Sequence, residues 1–339
     1  MRNSILIGDA LDWLQCLPSE SVDCMVTSPP YYGLRDYGVD GQLGLEETPE
    51  AYIAGLVGIF REARRVLKAD GTLWLNLGDS YWANRSKNGL AWDDGNLSKG
   101  HMMRSGGASH EVYKAKDLLM IPHRVAIALQ ADGWWVRSDI VWHKPSCMPE
   151  SVRDRPTKAH EYVFLLSKSA RYFYDVDAIR EPLQDSTIKR YGRDWNGNTD
   201  RDYVDGPQNH MNIFMKDIEK KSKAIKKGAN KRTVWSISSK GYTGAHFATM
   251  PLELAETCIK AGCRAGGVVL DMFGGAGTTA IAAVNQGRDY ALIELNTVYA
   301  GLAQQRIKAR RVALQNADPT QASILPDGKK QLSLFSEAS

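Results

Sequence analysis

The chain has 339 residues, 43% of them hydrophobic, with 43 Lys/Arg against 39 Asp/Glu for a formal charge of +4. That length can bury a large core as one large or two modest domains, while so even a charge balance names no partner by itself. Scattered cysteines without a Cys-x-x-Cys pair and histidines that do not gather beside them argue against a disulfide framework or a metal site. The short apolar run after Met1 and the lack of any apolar stretch of about 18 residues argue against a signal peptide or a membrane span, so a cytoplasmic soluble protein is expected.

Residues 4–7 read as a short strand closed by Gly8-Asp9, and residues 10–17 as a helical turn or two stopped by Pro18. The apolar run 24–26 is a buried strand that ends abruptly in Thr27-Ser28-Pro29-Pro30-Tyr31. Each proline fixes its own φ and restricts the residue before it. Ser28, Pro29 and Pro30 therefore make a stiff, extended corner at a strand's C-terminal end, the edge where ligands sit in α/β sheets. The corner offers a hydroxyl, carbonyls that no regular partner claims and the face of Tyr31, the parts needed to hold a planar heterocycle by an exocyclic amine. A plain turn is the other reading of these residues.

A glycine-rich stretch at 33–44 follows as a mobile loop. Thr48-Pro49 opens a helix, with Tyr52, Ile53, Leu56, Val57, Phe60, Ala63 and Leu67 at helical spacing. Asp70-Gly71 is a turn into a strand at 72–77 that ends in Gly78-Asp79. Residues 83–116, rich in Gly, Ser, Asn and Lys, are a long loop. A helix at 121–131 and strands at 134–142 and 161–168 continue the alternation, which argues for a parallel α/β sheet. Residues 186–240 carry 13 Lys/Arg against 6 Asp/Glu with interleaved aromatics, a solvated charged linker or a nucleic-acid surface. Then come a helix at 251–261, a strand at 268–271, a helix at 277–286, a strand at 290–294, a helix at 297–312 and a polar tail.

Residues 267–279 run a buried strand into Asp271, through Phe273-Gly274-Gly275-Ala276-Gly277, and into a helix opened by Thr278-Thr279. Glycines let a backbone approach a ligand closely. The next strand ends at Glu294, where α/β nucleotide-binding folds grip ribose hydroxyls. Gly275-x-Gly277-x-x-Ala280 also satisfies the dinucleotide fingerprint, so a nicotinamide enzyme fits this piece alone, as does a glycine loop without a ligand.

Ser28-Pro29-Pro30-Tyr31 resembles the catalytic tetrapeptide of the amino-group DNA methyltransferases, which methylate N4 of cytosine or N6 of adenine. Asp271-x-Phe273-Gly274-Gly275-x-Gly277-Thr278-Thr279 is similar to that family's motif for S-adenosylmethionine (AdoMet). The catalytic corner precedes the cofactor turn, as in the family's β arrangement. Lesser matches are Gly8-Asp9, Asn76-x-Gly78-Asp79, Trp142-x-Lys144-Pro145, His160-Glu161 and His246-Phe247-Ala248-Thr249-x-Pro251.

The resemblance implies a Rossmann-like class I methyltransferase sheet, circularly permuted, with an inserted basic target-recognition region. Residues 1–185 would form the catalytic half (83–116 its mobile loop), 186–245 the target-recognition region, 246–315 the AdoMet half and 316–339 a disordered tail. It implies catalytic roles for Ser28, Pro29, Pro30 and Tyr31, with the Ser28 hydroxyl and the Pro29 carbonyl accepting from the amine and Tyr31 stacking on a flipped base. Asp9, Thr249, Asp271, Phe273, Gly274, Gly275, Gly277, Thr278 and Glu294 would bind AdoMet. Asp9 and, less readily, Asp271 have a reading as helix caps, and Phe273 has one as core. Lys144 is either a solvated charge or a contact to DNA or the site, and Trp195 and Trp235 are candidate DNA contacts. Double-stranded DNA is the implied partner, with a cognate restriction endonuclease and a second copy of the chain as further associates. Serine in the first tetrapeptide position favours cytosine N4 over adenine N6. A DNA-binding module with an inactive site is the reading from another class.

Overall fold

The structure, a computed structural model, describes residues 1–82, 112–147, 149–192, 227–238, 250–316, 322–324 and 330–332. The residues fall into two compact units, Met1–Phe173 with Thr233–Ser339, and Tyr174–Arg232. Among the described residues no helix is long and apolar enough to cross a membrane.

In the first unit the elements run β1 (Ser4–Ile7), α1 (Ala10–Cys16), β2 (Val22–Thr27), α2 (Pro49–Val66), β3 (Leu67–Leu77), α3 (Ile121–Ala131), β4 (Trp135–His143) and β5 (His160–Ser167). In the second unit α4 spans Asp185–Gly192. The first unit resumes with β6 (Val234–Ser236), α5 (Leu252–Gly262), β7 (Val268–Asp271), α6 (Thr278–Asn285), β8 (Asp289–Glu294) and α7 (Thr297–Asn316). The strands form one sheet in the order β1-β8-β7-β2-β3-β5-β4-β6. Strands β1, β8, β7, β2 and β3 are all parallel, so their C-terminal ends share one edge. The last two long strands of the chain thus sit between the first two. This is the permuted order the tetrapeptide and the glycine turn imply.

The expected all-parallel sheet is corrected at β5, which runs antiparallel to both β3 and β4. Among the described residues no helix joins β4 to β5, and without a crossover the returning strand must reverse direction. A second correction falls at Leu67, which the helical spacing assigns to α2. It opens β3 instead, fully buried and paired with Val22, and Asp70-Gly71 lies inside the strand rather than in a turn. A Cβ on Gly71 would lie 2.6 Å from Leu67 Cδ1 and 2.9 Å from the Asp23 carbonyl, so glycine there serves a close strand approach beside an irregularity in register.

Alternation along the buried strands divides the core into two faces. Met25, Leu73, Leu75 and Leu77 pack with α1, α2 and α3. Thr72 and Trp74 face α5, where the Thr72 hydroxyl donates to the Gly262 carbonyl at 3.1 Å. Helix α2 starts as its sequence dictates: Thr48 caps Ala51 N at 3.2 Å and Pro49 occupies the first turn.

The second unit ends at Arg232, whereas the insertion was expected at 186–245; β6 carries Trp235 into the main sheet opposite Trp142. Trp235 is 3% exposed, with its ring 6.1 Å from that of Trp74, so it is core rather than a DNA contact. Trp195 and nearly all of residues 83–116 lie outside the described residues. Within the second unit Lys227 pairs with Asp177 at 3.0 Å and Lys231 with Glu181 at 3.2 Å, so these two cations are engaged within the unit itself. In the tail, Ala322–Ile324 and Lys330–Leu332 pair antiparallel as a separate two-stranded sheet. For those residues the expected disorder is replaced by a short backbone ladder, which needs no apolar face to form.

Candidate active site

Strands β2 and β7 are direct neighbours, with Met25 opposite Leu270, so the corner after β2 and the glycine turn after β7 leave the sheet side by side. The chain goes one way from β2, through α2 to β3, and the other way from β7, through α6 to β8. Such a switch point leaves a crevice at the carboxyl ends of the strands. A cavity of about 400 Å³ lies there, lined from both sides by Ser28, Pro29, Pro30 and Tyr31 and by Asp271, Phe273, Gly274, Gly275, Thr278 and Glu294.

The corner is held rigidly. The Tyr52 hydroxyl donates to the Pro30 carbonyl at 2.7 Å, so that carbonyl is taken. Among the described residues nothing donates to the Pro29 carbonyl or to Ser28 Oγ. Ser28 itself donates toward the Tyr31 hydroxyl at 3.3 Å. The Tyr31 hydroxyl donates to Glu161 Oε2 at 2.7 Å, with Asn76 Oδ1 at 3.2 Å as a second acceptor nearby. Asn76 Nδ2 also donates to Glu161 Oε2 at 3.1 Å, and Lys144 pairs with Glu161 Oε1 while lying 4.4 Å from the Trp142 ring centre. Burial, reinforced by the adjacent Glu161 carboxylate, pushes the Tyr31 phenol well above its ordinary pKa.

The Tyr31 ring rests against the backbone of Gly78. A Cβ there would lie 2.5 Å from Tyr31 Cε2 and 2.8 Å from Cδ2. Gly78→Ala is therefore expected to lower stability by about 1–3 kcal/mol through overpacking. Urea unfolding checks it: the loss should shrink when Tyr31→Ala is added, because the clashing ring is gone.

The glycine turn divides its labour. A Cβ on Gly274 would meet Leu292 Cβ at 3.0 Å and one on Gly277 would meet Ala303 Cβ at 2.9 Å, so these two glycines seat the turn on β8 and α7. Gly275, with φ of 48°, has nothing nearer than a carbonyl oxygen at 3.9 Å and lines the cavity. Its N–H donates to Glu294 Oε2 at 2.7 Å, while Asn296 N donates to Oε1 at 2.8 Å. Burial raises the Glu294 pKa, and those two backbone donors pull it back down.

Asp271 lines the cavity, but its oxygens are engaged. Oδ1 accepts from the Thr27 hydroxyl at 2.6 Å and from Phe273 N at 3.1 Å, and Oδ2 accepts from the Thr279 hydroxyl at 2.7 Å. It ties β2, β7 and α6 together. Asp9 lines the cavity and caps α1, accepting from Leu11 N at 2.8 Å, so both readings of it coexist. Phe273 likewise packs on the core and lines the cavity. Thr249 lies outside the described residues, although its neighbour Met250 is in the wall.

The cavity fits a nucleoside-bearing cofactor with an amino-acid tail: an open glycine backbone, the amide end of α6 at Thr278 for a carboxylate, and the carboxylate of Glu294 for hydroxyls. Sequence reasoning missed Asn296 and Tyr299 in the wall, and missed the part of Asn76, Lys144 and Glu161 in holding Tyr31. The last three lay in the short pieces Asn76-x-Gly78-Asp79, Trp142-x-Lys144-Pro145 and His160-Glu161, which was the available signal.

Comparison with known proteins gives the same picture. The N6/N4 family model described as DNA methylase matches residues 22–305. The type II methyltransferase M.SmaI of Serratia marcescens is 46% identical over 308 residues, covering 91% of each chain. The type II methyltransferase M.Cfr9I of Citrobacter freundii is 44% identical, covering 89% of this chain and 86% of its own. Among solved structures, PvuII DNA methyltransferase (cytosine-N4-specific) superposes with a TM-score of 0.58 at 18% identity over 94% of each chain. TTHA0409 of Thermus thermophilus, a putative DNA modification methylase complexed with S-adenosyl-L-methionine, gives 0.54 at 24% identity over 91% of this chain and 94% of its own. At those identities the structural likeness concerns the fold.

Proposed function

The chain belongs to the N6/N4 DNA methylase family, an AdoMet-dependent family, and from that premise we propose a site-specific enzyme that methylates the exocyclic N4 amine of cytosine in duplex DNA, with the target base flipped from the helix. One observation carries the reading: the Ser-Pro-Pro-Tyr corner and the glycine turn line the same cavity. Serine at the head of the tetrapeptide supports cytosine N4 over adenine N6 through the family resemblance. Sequence recognition is assigned to the basic insertion at 186–245 on its composition. The relatives' description as type II methyltransferases supports a place beside a restriction endonuclease of like specificity.

AdoMet, when bound, supplies an electrophilic methyl group. An exocyclic amine is a weak nucleophile because its lone pair is delocalised into the ring. Acceptors against its N–H bonds favour the pyramidal, more positive nitrogen of the transition state. Ser28 Oγ and the Pro29 carbonyl are the two acceptors in this reading, and both lack a donor among the described residues. The rigid corner fixes them before the base arrives, which is where most of the rate gain from positioning lies. Thr278 and the first amides of α6 take the cofactor's carboxylate, Glu294 its ribose hydroxyls, and Phe273, Asp9 and Thr249 are assigned to its surroundings.

Glu294 accepts from hydroxyls more strongly when ionised, because protonation turns one of its two acceptor oxygens into a donor. Its pKa is raised by burial, so AdoMet affinity should fall on acidification from a higher pH than an ordinary glutamate would give. Calorimetric titration across pH tests this: affinity drops as pH falls through the raised value, and Glu294→Gln binds more weakly with a flatter profile on the acid side. The function itself is tested by transfer of labelled methyl from AdoMet to DNA, followed by identification of the modified base. Label on N4 of cytosine in one sequence context is expected; label on adenine N6 would overturn the base assignment, and no transfer would overturn the activity.

A further inference from the structure

The Ser28 and Tyr31 hydroxyls donate in one direction, toward Glu161. Ser28 donates to the Tyr31 hydroxyl at 3.3 Å and Tyr31 donates to Glu161 at 2.7 Å. Asn76 and Lys144 hold the carboxylate from two other sides, at 3.1 Å and in direct ion contact. Resting on the function proposed above, we infer that Glu161 is a positioning residue for methyl transfer: through Tyr31 it holds Ser28 as a hydrogen-bond acceptor toward the amine and takes the amine's surplus proton.

The geometry carries this in three steps. A hydroxyl that donates along a chain ending in a carboxylate has more electron density left for its own acceptor role, since hydrogen bonds in series polarise one another. Ser28 Oγ then presents lone pairs, not its proton, to the substrate. Without the chain its proton is free to turn toward the cavity, which would offer the amine a donor where an acceptor is needed. The 3.3 Å link is long, and hydrogen bonds of this kind often tighten only in the substrate complex.

The step balances. The amine nitrogen's lone pair forms the N–C bond, the S–C bond breaks with its electron pair kept on sulfur, and the nitrogen is left with one proton too many. That proton passes to Ser28 Oγ as the Ser28 proton passes to Tyr31 and the Tyr31 proton to Glu161. A cationic sulfonium and an ionised Glu161 become a neutral thioether and a neutral carboxyl, so the charge left without its partner in the half-buried site is that of Lys144. The Lys144 ammonium, paired with Glu161 at the start, then faces a neutral group, which favours release of the proton to solvent and resets the chain.

The test compares Glu161→Gln, Tyr31→Phe and the double variant. Gln keeps an acceptor for Tyr31 but cannot take a proton; Phe keeps the ring on Gly78 but cuts the chain. Single-turnover methyl transfer at saturating AdoMet and DNA is expected to fall about tenfold in each single variant. The double variant should be no more than about twofold slower than the slower single, because both remove one pathway. A second readout needs no turnover. In carbon-13-tyrosine-labelled protein, the Tyr31 ring signal, assigned by its loss in Tyr31→Phe, should shift in Glu161→Gln. Multiplying effects in the double variant, a loss under threefold in either single, or an unmoved Tyr31 signal would overturn the inference. Should Glu161→Gln fail to fold, Tyr31→Phe alone decides it by the same threefold limit. An inactive wild type would instead sink the proposed function, so the two failures are distinguishable.

Discussion

Ser28→Ala is expected to slow methyl transfer by about 100-fold while leaving AdoMet affinity within about threefold of wild type. The size follows from what is removed: one pre-positioned hydrogen-bonding group aimed at charge that develops only in the transition state, a loss that typically costs 10²–10³ in rate. The selectivity follows from geometry. Ser28 lies on the β2 side of the cavity, whereas Gly275, Thr278 and Glu294 lie on the β7–β8 side. The folded state should hardly notice, since the only described bond of the Ser28 hydroxyl is its long one to Tyr31. Single-turnover transfer and calorimetric AdoMet binding check the two halves. If the rate loss is under tenfold, the Ser28 role is wrong; if affinity falls in step with rate, Ser28 belongs to the cofactor side instead.

Much of this site was legible before any coordinates because its two main pieces are local. Ser28-Pro29-Pro30 is stiff by its own covalent chemistry, and the turn at Gly274-Gly275 must be glycine-rich wherever it lies. Their meeting was legible only through resemblance, since nothing in a residue's immediate neighbours says that β2 and β7 pair. The bracing of Tyr31 was legible only as three short matches that named no shared task. Asn76, Lys144 and Glu161 come from the end of β3, the end of β4 and the start of β5, and only the antiparallel return of β5 brings Glu161 under the phenol. That return was hidden for a physical reason: a buried strand shows the same apolar run whichever way it points. Trp235 was misread because three residues of strand sit in a stretch whose composition is set by its charged neighbours. Asp271 was read as a ligand residue or a cap, and the structure gives it a third task.

That task predicts the second large effect. Asp271 is 5% exposed, and its two oxygens satisfy the hydroxyls of Thr27 and Thr279 and the backbone N–H of Phe273. Asp271→Ala strands the Thr27 hydroxyl and the Phe273 N–H next to an empty space and leaves the Thr279 hydroxyl only the Val26 carbonyl at 3.4 Å; each buried donor without a partner costs about 1–3 kcal/mol. Allowing for relaxation, a loss of about 3–5 kcal/mol is expected, large against a typical domain stability of about 5–15 kcal/mol. Asp271→Asn should cost far less, about 1 kcal/mol, because its carbonyl still accepts from Thr27 and Phe273 while the Thr279 hydroxyl turns to the Val26 carbonyl already 3.4 Å away. Acid distinguishes the two groups further. Burial raises the Asp271 pKa in the folded state, with its hydrogen bonds pulling the other way. A carboxyl with a raised folded pKa favours the fold below its unfolded value and gives that up as pH rises through the folded one. The wild type should therefore gain on Asp271→Asn as pH falls from neutrality toward the ordinary aspartate range. Urea midpoints at several pH values measure all of this. A small loss in Asp271→Ala would mean that β2 and β7 are not held together through this carboxylate, and a wild-type advantage over Asp271→Asn that widens with rising pH would mean that its hydrogen bonds outweigh its burial. Because that bond sets how far the Ser28 corner stands from the glycine turn, Asp271→Asn should also keep measurable transfer where Asp271→Ala, even when folded in the cold, keeps little.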